Sequence, residues 1–200
     1  MIQIRISRPE DIPRQRELWQ LAFGDDGAYV DNFYNAYYQP ERVLLLEEDG
    51  VVQAMTAWFE TTFAVPGQGR YRAAYLYAVA THPEARGRGL AGQLLAGADR
   101  IFREWDIPAV TTVPAEPSLH RFFGRNGFRE CFVDGQFSAP REGHGIRTVS
   151  AVLKRLTPEE YRDLREGLLA GTAHIDLPQE ACCKARPDQS ADLTAYLLDP

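Results

Sequence analysis

The chain has 200 residues, 44% of them hydrophobic and 25% charged, enough apolar material for one domain with a real core. A net charge of −6 argues against a nucleic-acid binder that relies on a broad basic surface, and no apolar run is long enough to cross a bilayer. The three cysteines, Cys131, Cys182 and Cys183, suit neither a disulfide framework nor a zinc site, and the first residues lack the apolar stretch of a secretory signal, so a reduced, cytoplasmic setting is expected.

Taken in chain order, IQIRIS at the start alternates like a half-buried strand. Asp11 is placed to cap a helix with Pro13 in its first turn; LWQLAF supplies the buried stripe and Gly24 stops it. Asp25 or Asp26 can cap a second helix, AYVDNFYNAYY, in which Tyr29, Phe33 and Tyr37 recur near helical spacing before Pro40 ends it. RVLLLEEDGVVQAMTAWFE then reads as two strands joined at Asp49-Gly50, a strong hairpin signal. FAVPGQGR is a loop or an interrupted hairpin, and YRAAYLYAVAT another strand.

Next comes THPEARGRGLAG, two arginines among glycines at the mouth of a helix whose face is Leu90, Leu94, Leu95, Ala98, Ile101, Phe102 and Trp105. Helix-opening amides have no intrahelical partner, glycines allow close approach, and arginines add charge, so Arg86, Gly87, Arg88 and Gly89 form a candidate anion site. The spacing fits neither a P-loop nor a dinucleotide fingerprint. AVTTV is a short strand, EPSLHRFFGRN a short helix, and FRECFVDGQFS and GIRTVSAVLKRL two further strands. Thr157, Pro158 and Glu160 have capping-box spacing for a last helix, PEEYRDLREGLLA. The expected organisation is one α/β domain over 1–156, a C-terminal helix over 157–171 and an irregular tail over 172–200.

Arg86 to Ala91, RGRGLA, resembles the pyrophosphate motif of the GNAT (Gcn5-related N-acetyltransferase) superfamily, and LHRFFGRNGF resembles its later motif. Within that superfamily LYAVATHPEARGRGL and PAEPSLHRFFGRNGF most resemble bacterial enzymes of the Eis type. The resemblance implies a mixed, mostly antiparallel central sheet with splayed middle strands, flanked by helices. It implies acetyl-CoA as cosubstrate and direct N-acetylation of a small-molecule or peptide amine, with no metal, nucleic acid or membrane involved. Val79, Ala80 and Thr81 would bond the pantetheine arm, and the amides from Arg86 through Leu90 to Ala91 the diphosphate.

The family places a Tyr proton donor where this chain has Phe123, a position otherwise beside the cofactor. Tyr77 and Tyr75, spaced for one face of a strand, are the replacement candidates, with Glu60 as a candidate base. A domain that binds acyl-CoA without transferring the acyl group stays open as the alternative. The last strand and helix are where a second copy would dock in a homo-oligomer.

Overall fold

The structure, a computed structural model, describes residues 1–114, 116–131, 152–176 and 196–199, with the backbone alone for 152–155, Pro158 and 196–199. Strand β1, Ile2–Ile6, leads through a 3₁₀ turn into helix α1, Ile12–Phe23, which buries Gln15, Leu18 and Trp19 on one face. Asp11 occupies the cap position of α1 but its carboxylate does not cap it. It accepts from the Arg5 guanidinium at 2.7 and 2.8 Å and from the Arg8 amide at 2.8 Å, because a part-buried cation outcompetes a helix amide. Arg5 in turn holds the Asp11 carboxyl below its ordinary pKa. Helix α2, Gly27–Ala36, is capped by Asp26, which accepts from the Tyr29 amide at 2.8 Å; it stops at Ala36, short of Pro40, which opens a 3₁₀ turn instead.

Strands β2, Val43–Glu48, and β3, Val51–Val65, meet at a two-residue turn in which Asp49 has φ 51° and Gly50 φ 82°. Two positive φ values in succession match the right-handed twist of the flanking strands, which is why Asp-Gly serves here. Strand β4, Gly69–Thr81, completes a meander, so FAVPGQGR is the tip of one long hairpin. Helix α3, Leu90–Glu104, then crosses to strand β5, Ala109–Thr111, which pairs parallel with β4. Helix α4, Pro117–Arg125, strand β6, Val152–Arg155, and helix α5, Pro158–Leu169, follow. Strand β7, His174–Asp176, and strand β8, Tyr196–Asp199, come last.

The sheet runs β1-β2-β3-β4-β5, with β7 on the edge of β3 beyond the end of β2; β6 and β8 pair separately. Part of the 172–200 tail is therefore strand. His174, Ile175 and Asp176 take their conformation from the free edge of β3 at Thr62 to Ala64, which no local period announces. Phe128 to Cys131 form no strand; the rest of that expected strand, and residues 145–151 of the one ending in β6, lie outside the described residues.

Both faces of the sheet are covered. Leu18, Trp19, Val30 and Phe33 of α1 and α2 pack on Val43, Leu45, Met55, Ala57 and Ala80. Leu90, Leu94, Leu95 and Phe102 of α3, with Phe123 of α4, pack on Leu44, Leu46, Ala54, Trp58, Ala74 and Leu76. This two-sided burial explains the unbroken apolar run of β2. It also seats α3 so closely that a Cβ on Gly97 would lie 2.9 Å from Ile4 Cγ2.

Candidate active site

Between β4 and α3 the chain passes through a 3₁₀ turn at Pro83–Ala85 and then Arg86 to Gly89. Gly87 and Gly89 have φ 75° and 77°, the left-handed region, and a Cβ at either would touch nothing within 4 Å. Backbone conformation, not crowding, therefore calls for glycine. Gly89 is the cap residue of α3 and no side chain caps it. The first intrahelical bond runs from the Gln93 amide to the Gly89 carbonyl at 3.2 Å, so the amides of Leu90, Ala91 and Gly92 have no intrahelical acceptor. The two arginines part ways. Arg86 donates through Nε to the Thr81 carbonyl at 3.3 Å. Arg88 forks onto the Glu48 carboxylate, with Nη1 2.9 Å from Oε2, and so pins the turn to the end of β2.

Strand β4 leaves an edge open above this turn. It pairs with β5 only at Ala73, Ala74 and Tyr75; Thr112 Oγ1 then donates to the Leu76 carbonyl at 3.3 Å, and Val113 is already 65% exposed. Among the described residues no strand continues that edge along Tyr77 to Thr81. On its other edge β4 carries one extra residue, since Ala57 pairs with Tyr77 and Met55 with Ala80. Ala78 sits in this bulge at φ 51°. A non-glycine residue held there costs on the order of 1–3 kcal/mol and persists only because β3 and the packed helices determine it. Val79, Ala80 and Thr81 follow the bulge and border the opening.

Tyr75 and Tyr77 point to the α1/α2 face. Tyr77 lies edge-on to Trp19 at 5.4 Å and 5.2 Å from Phe59, while Tyr75 and Phe59 are nearly parallel, with centroids 6.5 Å apart. The Tyr77 hydroxyl is 2.7 Å from that of Tyr29 on α2, a half-exposed ring. Burial, chiefly, and this hydrogen bond push the Tyr77 phenol well above its ordinary value; burial also raises Tyr75. Both stay protonated through the neutral range.

Glu60 is not brought to them. Strand alternation puts it on the opposite face with Trp58, where it lies 3.5 Å from both Arg42 and Arg72. Phe123 is 7% exposed and packs edge-on to Phe122 and Phe128 in the α3-side core, which leaves little ring surface for a cofactor. His120 bonds Glu130 at 2.9 Å, and Glu116 accepts from Ser118 at 3.2 Å. Among the described residues no cluster of histidine, cysteine or carboxylate side chains has the arrangement of a metal site. Sequence reasoning missed two participants: Ala78, because alanine carries no signal for a positive φ, and Glu48, whose role depends on register; it named Tyr29 among the rings of the second helix but not its hydroxyl partner, which is 48 residues away.

A family profile described as "Acetyltransferase (GNAT) domain" matches residues 3–129, an interval that contains β4, the glycine turn, α3 and α4. The chain belongs to the GNAT acetyltransferase family. Among solved structures, Eis1 from Mycobacterium abscessus shares 16% identity at a TM-score of 0.63, over 90% of this chain and 46% of that one. A GCN5-related N-acetyltransferase from Anabaena variabilis shares 22% at 0.54, over 61% and 31%. A predicted acetyltransferase with acetyl-CoA from Clostridium acetobutylicum shares 18% at 0.56, over 72% and 100%. These likenesses are of fold, and this GNAT chain spans less than half of the Eis1 and Anabaena proteins. No curated protein matches the chain in sequence. Among the described residues no helix is long and apolar enough to cross a membrane.

Proposed function

We propose that this GNAT domain transfers the acetyl group of acetyl-CoA directly to the nitrogen of a small-molecule or peptide amine. The observation that carries the reading is the uncapped start of α3 behind two left-handed glycines, set beside an open edge of β4. Amides from Gly87 to Ala91 take the diphosphate, where partial positive charge and close backbone approach coincide; the Arg86 amide already donates to the Pro83 carbonyl at 3.3 Å. The backbone of Val79, Ala80 and Thr81 takes the pantetheine arm as a neighbouring strand would. That places the thioester toward the Ala78 bulge and Tyr77.

The ammonium loses one proton to solvent, and the neutral amine attacks the thioester carbonyl carbon. A nitrogen–carbon bond forms, the carbon–sulfur bond breaks, the departing thiolate receives a proton from its donor, and the nitrogen gives up its second proton through solvent, from which the donor is reprotonated. Tyr77 is the donor in this scheme, since its phenol is protonated and a phenyl ring at Phe123 has no proton to give. Tyr75 supports it as a packed neighbour, with ring centroids 6.4 Å apart. Glu60, ion-paired on the far face, takes no part. A reaction that draws on acetyl-CoA fits the cytoplasmic setting expected from the cysteines. Acyl-CoA binding without transfer is the second reading, and Phe123 is the observation that favours it.

Gly89→Glu tests the donor site against Gly89→Gln, which carries the same left-handed strain at φ 77° without the charge. Acetyl-CoA affinity, measured by calorimetry on folded protein, is expected to fall at least about 100-fold in the Glu variant and distinctly less in the Gln variant. Unchanged affinity in both places the diphosphate elsewhere and removes the basis of the proposal.

A further inference from the structure

The rings around Tyr77 form a continuous apolar wall at the acceptor end of the opening. Phe59, Tyr75 and Tyr77 come from the sheet, Tyr29 and Tyr37 from the α2 segment. Phe59 joins them, with centroids 5.2 Å from Tyr77, 5.6 Å from Tyr37 and 6.5 Å from Tyr75. Behind them Trp19 and Phe33 are almost fully buried, so the front rings are held in place. The front rings are only partly buried, and Tyr29 is 49% exposed.

Contiguous partly exposed aromatic rings in a soluble domain mark a place where something apolar docks. Here the wall is continuous with the bulge at Ala78 and the proposed proton donor, so its occupant is the part of the acceptor that does not react. Phe59 and Tyr75 lie within 16° of parallel, a surface that suits a third flat ring better than a branched or heavily hydroxylated group.

The polar groups narrow the class further. The Tyr29 and Tyr77 hydroxyls engage each other at 2.7 Å, so they are poorly placed to receive the many hydroxyls of a sugar. Asp25, beside this layer, accepts from Trp19 Nε1 at 2.7 Å. The faces of the rings attract an ammonium group through their negative quadrupole.

We propose that the acceptor is a monoamine carrying an aromatic ring, an arylalkylamine, whose ring stacks on Phe59 and Tyr75 while its amine is delivered past Tyr77. The proposal rests on the acetyl-transfer reading for its chemistry and on the ring geometry and the paired hydroxyls for its selectivity.

The test pairs turnover with binding. Thiol release from acetyl-CoA by the full chain is measured with phenethylamine, tryptamine, spermidine and glucosamine. Phenethylamine binding is measured separately by calorimetry in the presence of CoA. The arylalkylamines are expected to exceed the other two at least tenfold in kcat/KM. Phe59→Leu, which keeps apolar bulk and removes the ring, should raise the phenethylamine KM at least tenfold with a smaller change in kcat. Tyr29→Leu, at an exposed position that does not endanger the core, should raise it severalfold. Preference for spermidine or glucosamine overturns the acceptor class and leaves acetyl transfer standing. Ring-dependent phenethylamine binding without thiol release supports the wall as the amine site and overturns the transfer reading. Absence of both binding and turnover with the arylalkylamines overturns the proposal.

Discussion

Tyr77 concentrates the residue-scale argument. Its ring is fixed by Trp19, Phe33 and Phe59, its hydroxyl meets that of Tyr29, and its backbone adjoins the bulge at Ala78. In the proposed mechanism a group so placed acts on the leaving thiolate without contributing to cofactor affinity. Tyr77→Phe is expected to lower kcat about 100-fold, the usual scale for loss of a general acid, with acetyl-CoA affinity unchanged. Thiol release and calorimetry on the same preparation check both halves; full activity clears Tyr77 of the role. That Tyr75 and Tyr77 share a face could be read from their spacing of two. That Glu60 faces away could not, because it depends on the register that pairs Glu60 with Ala74 and Phe59 with Tyr75, which ETTFAV does not specify.

At the scale of elements, α3 does two jobs from one sequence. Its first turn offers free amides, and its apolar face presses on β2, β3 and β4. The second job depends on Gly97, where the backbone approaches Ile4 and Leu44 so nearly that an added Cβ would sit 2.9 Å and 3.4 Å from their methyl groups. Gly97→Val should therefore destabilise the fold by about 2 kcal/mol, overpacking outweighing the gain in helix propensity. Urea unfolding reads this directly, and an unchanged midpoint would mean that α3 can shift outward at no cost. Helix α5 is a contrasting case. Its capping box was legible in Thr157 and Glu160, and the reciprocal bonds form at 3.2 and 2.9 Å, because a cap needs only local chain.

For the whole molecule, the aromatic layer between α2 and the sheet links stability to alkaline pH. Burial raises the phenols of Tyr34 and Tyr77 above the ordinary 10.0, so above that value the unfolded chain loses protons that the folded chain keeps. The folded state then binds more protons than the unfolded one, and stability falls as pH rises. The urea midpoint should be level up to about pH 9 and decline above about pH 10, less steeply in a Tyr34→Phe, Tyr77→Phe double variant. An identical slope in that variant would assign the decline to other groups.

The order of elements from β1 to α4, the Asp49-Gly50 hairpin, the glycine turn that opens α3 and the family resemblance were all determined by the sequence alone, since each rests on local spacing or backbone preference. Tertiary structure decided what depends on distant partners. It set Asp11 on Arg5 instead of on its helix, Arg88 on Glu48, Glu60 away from the tyrosines and Tyr29 onto Tyr77. It also placed the bulge at Ala78 and recruited His174 to Asp176 as a strand. The division is physical: caps, turns and periodic faces are chosen within a few residues, whereas ion pairs, ring contacts and sheet edges are settled only when remote segments meet.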